Sequence, residues 1–233
     1  MSRQEPIELV ELVANDLGEL CAEVVFVGGA IVEALVTDPA APPISSTKDV
    51  DIIVSVTSNH AYSQELGERL RGLGFAEDSD EDAPLCRWRR RDGIKVDIMP
   101  TDPKILGFSN RWFPLAFASA THHKLRSGRV IRLITAPCFL GTKIEAFLAR
   151  GRGDYVGSKD IEDLLAVVHG RAETLEEVRA APSELRNYLA ERTRELLTHE
   201  DFLISIEGHL PGEDKDVVEA RLRALSAMTT SIP

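Results

Sequence analysis

Apolar residues recur along this chain in two rhythms. Over residues 6–20 they fall at Leu9, Val10, Val13, Leu17 and Leu20, the spacing of one helix face. Val24–Val27 is an unbroken apolar run that reads as a buried strand, and Ala30–Val36 as a short helix. Three prolines between 37 and 46 predict a loop. Asp49–Val56 returns to a period of two, with Val50, Ile52, Val54 and Val56 on one face. A helix is predicted over 60–73, closed by Gly74, and a solvated acidic loop over 77–82. Residues 84–99 read as a hairpin about Asp92-Gly93. A three-residue loop, Arg91-Asp92-Gly93, pairs Trp88 with Val96 and Arg87 with Asp97, and separates apolar from charged side chains; a two-residue loop mixes them. The first register therefore predicts Gly93 in the left-handed conformation. Arg111-Trp112-Phe113-Pro114 suggests a loop entering a helix, and Val130–Ile134 a further strand. From Thr135 the rhythm is helical: one helix to about Ala149, broken by Gly151-Arg152-Gly153, then 159–169 capped by Ser158 and closed by Gly170. Helices follow over 174–228, with breaks near Pro182, Thr198 and Pro211. The pattern predicts an α/β (α+β) architecture, with a mixed sheet over 1–134 and a helical domain over 135–233.

The polar positions inside the strands carry the chemistry. Asp49 and Asp51, two residues apart on a strand, point to the same side, and Asp97 lies in the run Ile94–Met99. Carboxylates in apolar runs are costly unless paired, and two so close resist ionising together. A divalent cation removes that conflict, and hard oxygen donors suit Mg²⁺. Gly28-Gly29, at the turn from strand into helix, offers unblocked backbone N–H groups to a phosphate. The bland readings are surface acids on an edge strand, an ordinary turn, and an ion pair from Asp97 to Arg87 or Arg89.

Composition narrows the classes. The 233 residues are 43% hydrophobic, as in a folded globular protein, and carry a formal net charge of −11, which argues against a generally basic nucleic-acid-binding surface. Cys21, Cys86 and Cys138 are far apart, as buried thiols in a reducing cytosol are, and His122-His123 has no partner with metal-ligand spacing. No signal-peptide core or membrane-length apolar run is present, so a cytoplasmic protein without membrane contact is expected.

In this order, Gly28-Gly29, Asp49-x-Asp51 and Asp97 resemble the motifs of the polymerase-β-like nucleotidyltransferase superfamily. Lys143, followed by a helix opening Asp160-x-x-Asp163-Leu164, is similar to the AbiEii-type nucleotidyltransferases of toxin–antitoxin systems. The resemblance spans roughly residues 20–170. It implies a nucleotidyltransferase core with a helical domain closing the nucleotide cleft, and Mg²⁺-dependent transfer of a nucleoside monophosphate from a nucleoside triphosphate to an acceptor hydroxyl. By the resemblance, Asp49, Asp51 and Asp97 hold two Mg²⁺ ions, and Asp97 also helps deprotonate the hydroxyl. Gly28, Gly29 and Thr47 meet the nucleotide. Lys143 neutralises the triphosphate, and Asp160 orients Lys143 or the nucleotide. The chain has Gly-Gly-Ala where the family often has Gly-Ser, so phosphate contact there rests on backbone groups. The AbiEii-type likeness further implies tRNA or other RNA as acceptor and a cognate antitoxin as partner. Arg87, Arg89 and Lys95 share the hairpin face with Asp97 and form a local basic face for an RNA acceptor. The alternatives are a small-molecule, antibiotic-type nucleotidyltransferase and a non-catalytic nucleotide-binding regulator.

Overall fold

Helix α1, Pro6–Leu17, starts on a proline, and the Glu8 carboxylate accepts from the Glu5 backbone N–H at 3.1 Å. Its apolar stripe is buried, and the chain then tightens into a 3₁₀ turn over Gly18–Ala22. Strand β1, Val24–Val27, is buried along its whole length. A second 3₁₀ turn, Gly29–Ile31, leads into the short helix α2, Val32–Leu35. Strand β2 is Asp49–Val54. A wide π-type stretch, Ala61–Leu66, continues as α3, Gly67–Gly72. Strands β3 (Ala76–Glu77), β4 (Arg87–Arg89) and β5 (Lys95–Pro100) follow, then helices α4 (Pro103–Leu106) and α5 (Phe113–Ala118) and strands β6 (Thr121–Lys124) and β7 (Val130–Leu133). This computed structural model describes residues 5–151, 153–210 and 212–228. Of the breaks expected at Gly151-Arg152-Gly153 and near Pro211, Arg152 and Pro211 themselves lie outside the described residues.

The seven strands form one mixed sheet in the order β3-β4-β5-β2-β1-β7-β6. β1 pairs antiparallel with β2 and parallel with β7, and β2 pairs parallel with β5. The β4–β5 register is Arg87↔Asp97, Trp88↔Val96 and Arg89↔Lys95, with Gly93 at φ +89°, as the three-residue loop requires. One expectation changes, and one strand is added. The acidic stretch is not simply solvated: Glu77 pairs with Trp88 in β3, and the Asp78 side chain is only 1% exposed against Arg89. Acids beside an arginine-bearing strand gain more from ion pairing than from water. His122-His123 lies on β6, an exposed edge strand that apolar alternation does not mark.

The chain divides into two compact units: Met1–Ala34 with Ser45–Thr135, which holds the sheet, and Leu35–Ile44 with Ala136–Pro233. The second unit contains α6 (Ala136–Arg150), α7 (Lys159–Gly170), α8 (Thr174–Ala180), α9 (Ser183–Leu196), α10 (Glu200–His209) and α11 (Glu213–Ser226). Helix α6 is its centre, with Ala136 to Ile144 buried and α7, α8 and α9 packed around it. Ser158 caps α7, its hydroxyl accepting from the Ile161 N–H at 3.4 Å. Gly170 closes the helix as expected, without a left-handed turn. It is the last helical residue, and a Cβ there would lie 2.7 Å from Val36 Cγ1. The residue is glycine because residues 35–44 cross it closely; the N–H groups of Thr37 and Asp38 both donate to its carbonyl. No helix among the described residues is long and apolar enough to cross a membrane.

Candidate active site

The sheet brings the three acids of the first unit into one constellation. Asp51 pairs laterally with Val27, the last residue of β1, and on its other side with Asp97 of β5. Parallel partners in register point to the same face, so Asp49, Asp51, Lys95 and Asp97 share one side of the sheet. The opposite side, Val50, Ile52, Val96 and Ile98, is fully buried. That anchoring fixes the acids, because a one-residue slip would turn them into the core.

Gly28 follows directly at φ 74°, ψ −165°, a conformation that side chains other than glycine's avoid. A Cβ built on it would lie 1.9 Å from Asp51 Oδ2, so the carboxylate rests against the glycine backbone. Gly29 opens the 3₁₀ turn beyond. Gly28→Ala is therefore expected to lower stability by about 1–3 kcal/mol and to displace Asp51. Chemical denaturation checks the first effect, and an unchanged midpoint would refute it.

Asp49 accepts from the Thr47 hydroxyl through Oδ1 at 2.5 Å, which places Thr47 as an orienting neighbour of the acid. Arg87 donates from Nε and Nη2 to the two oxygens of Asp97, each at 2.7 Å, and Nη2 lies 3.8 Å from Asp49 Oδ2. The pairing with Asp97 favours the charged guanidinium and moves its pKa further up. The neighbouring Cys86 thiol reports the same surroundings: burial, with the charges of Asp97 and Asp51 adding, pushes it up to about 12.

The hairpin register puts Arg87, Arg89 and Lys95 on one face, but two of the three positive charges are locally neutralised. Arg87 is held by Asp97. Arg89 donates to Asp78 at 2.7 Å and also pairs with Asp80. Lys95 lies between Asp49 and Arg89 in the sheet, and with the hydrogen bond from Arg89 its charge helps to lower the Asp78 carboxyl.

Lys143 and Asp160 lie in the second unit. Lys143 Nζ donates to Asp163 Oδ2 at 2.7 Å and to Asp160 Oδ1 at 3.2 Å. Arg150 grips Asp160 with two bonds of 3.0 Å, and Lys159 lies 2.9 Å from Asp163. Burial raises the Asp160 carboxyl, but the hydrogen bond from Arg150 and the charges of Lys143 and Arg150 outweigh it and hold the group below its ordinary range. Asp160 and Asp163 thus both accept from Lys143. Asp163 is the member of this cluster that the sequence marks only as part of the helix-opening motif, with no role of its own. Its spacing of three from Asp160 puts both on one helix face, and that is the signal that marks it.

The donor chemistry of Asp49, Asp51 and Asp97 fits a hard divalent cation: three carboxylates on one sheet face beside open glycine backbone. No three His, Cys, Asp or Glu side chains among the described residues converge as a finished metal site. Here the positive group facing Asp97 and Asp49 is Arg87.

No protein-family model matches the chain, and no curated protein matches it in sequence. Among solved structures, its fold is similar to that of an antigenic nucleotidyltransferase-like protein from Paracoccidioides brasiliensis. The TM-score is 0.51 and the identity 17%, over 96% of this chain and 94% of that one. At this identity the likeness is one of fold. It agrees with the expected fold class, a mixed sheet with a helical part. The AbiEii-type level rests on Lys143 and the helix that opens at Asp160 alone.

Proposed function

We propose that the protein is a nucleotidyltransferase that moves a nucleoside monophosphate from a nucleoside triphosphate to an acceptor hydroxyl. The observation that carries this reading is the lateral pairing of Asp51 with Asp97, with the Asp51 carboxylate resting on the Gly28 backbone. It sets two acids of different strands and a glycine turn side by side. Asp49 and Asp51, with Asp97, would hold Mg²⁺, which when bound offsets the charge of the triphosphate and of the leaving pyrophosphate. Backbone N–H groups at Gly28-Gly29 hold phosphate oxygens. Thr47 fixes the rotamer of Asp49. The acceptor oxygen forms a bond to the α-phosphorus, the bond from that phosphorus to the bridging oxygen breaks, and pyrophosphate leaves. The hydroxyl proton passes to Asp97.

The acceptor implied by the AbiEii-type resemblance is tRNA or other RNA, in a toxin restrained by an antitoxin. A second reading, a small hydroxylated acceptor, is favoured by the pairing of Arg87 and Arg89 with their own acids and by the net charge of −11. Both leave the RNA backbone few free cations. The test is incubation with each labelled nucleoside triphosphate, Mg²⁺ and either total RNA or an aminoglycoside. Label on RNA that weakens as salt rises supports the toxin reading, and label on the small acceptor supports the second. Nucleotide binding with no labelled product would overturn the catalytic reading and leave a regulator.

A further inference from the structure

Three carboxylates on one sheet face have a guanidinium reaching two of them. Arg87 grips both oxygens of Asp97 at 2.7 Å, and the same Nη2 lies 3.8 Å from Asp49 Oδ2. The side chains of Arg87 and Asp97 are both largely shielded from water. A two-pronged, charge-assisted grip of this kind is stronger than an exposed ion pair. It also relieves the repulsion among Asp49, Asp51 and Asp97 when nothing else is bound. A cation shared by Asp97 and Asp49 needs the place this guanidinium holds, and two positive groups there repel each other.

We propose that Arg87 is the resident cation of the acid cluster and gives up Asp97 when a divalent cation enters. Arg87 thereby sets the metal affinity, and it withholds Asp97 from the acceptor proton until the metal is bound. The proposal rests on the Mg²⁺ reading above and adds a residue to it. The short strand β4 carries Arg87 between β3 and β5, so release of Asp97 takes a side-chain movement and no change of register.

The test is calorimetric titration of the full chain with Mn²⁺, together with melting in a chelator and in saturating Mn²⁺. Arg87→Gln is expected to bind Mn²⁺ about tenfold more tightly than wild type, as loss of a competing charged hydrogen-bond pair predicts. It should also melt lower than wild type in the chelator and gain more from Mn²⁺. Arg87→Lys keeps the charge but cannot grip both oxygens, so its affinity should fall between the two. Arg69→Gln removes an exposed two-pronged pair, with Glu23, away from the acids and should bind Mn²⁺ as wild type does. Any other order of affinities, with wild type still binding, overturns the role of Arg87 and leaves the metal reading standing. No binding by any of the four chains overturns the metal reading and this proposal together.

Discussion

Asp51→Asn is expected to cut nucleotidyl transfer by at least about a hundredfold while the protein melts no lower than wild type. Asparagine keeps the shape that rests against Gly28, where a Cβ would come within 1.9 Å of Asp51 Oδ2, so the turn after β1 is undisturbed. Asp51 also lies directly beside Asp97, and removing one of three neighbouring negative charges relieves repulsion in the metal-free chain. Loss of activity therefore cannot be ascribed to unfolding. What is lost is a charged oxygen donor at the point where two strands and the glycine turn meet. Pyrophosphate release from a labelled triphosphate, set beside a thermal melt, separates the two effects. Turnover near the wild-type rate would remove Asp51 from the chemistry.

The sequence makes the centre of this constellation legible because the core dictates it. Val50, Ile52, Val96 and Ile98 must face inward, so Asp49, Asp51 and Asp97 must face the other way. The β4–β5 register follows from the same rule applied to Trp88 and Val96. What the sequence does not display is long-range pairing. Nothing in Asp49–Val54 says that its partner strand is parallel and 46 residues on, which is what sets Asp51 against Asp97. Short edge strands escape as well. Ala76–Glu77 and Thr121–Lys124 have no apolar alternation, because their order comes from the neighbouring strand's backbone. That omission had a chemical consequence. With β3 unrecognised, Asp78 and Asp80 read as a solvated loop and Arg89 as an available cation, whereas the fold pairs them.

Lys143→Met is expected to destabilise the protein by about 3–5 kcal/mol at neutral pH, the cost of breaking a buried ion pair from one side. Sequence reasoning makes Lys143 a phosphate contact whose replacement leaves the fold intact, since a helix accepts alanine readily. The fold places its ammonium between two buried carboxylates, Asp160 with 7% and Asp163 with 1% of the side chain exposed. The remaining cations sit at the edge; the Arg150 side chain is 72% exposed. Methionine fills the volume but leaves two negative charges facing each other in a low-dielectric site. Asp163→Asn added to Lys143→Met removes one of those charges and should recover part of the loss. The pH dependence gives an independent check. The Asp160 carboxyl is held below its ordinary range, so its stabilising contribution is present above the unfolded value of about 4 and is lost as pH falls through the folded one. Lys143 is one source of that contribution, so the deficit of Lys143→Met should be full at pH 7 and narrower at about pH 3, below the unfolded value. Urea unfolding at both pH values measures it. If Lys143→Met were as stable as wild type and bound a non-hydrolysable triphosphate more weakly, the ammonium would belong to the nucleotide rather than to the packing of α6 on α7.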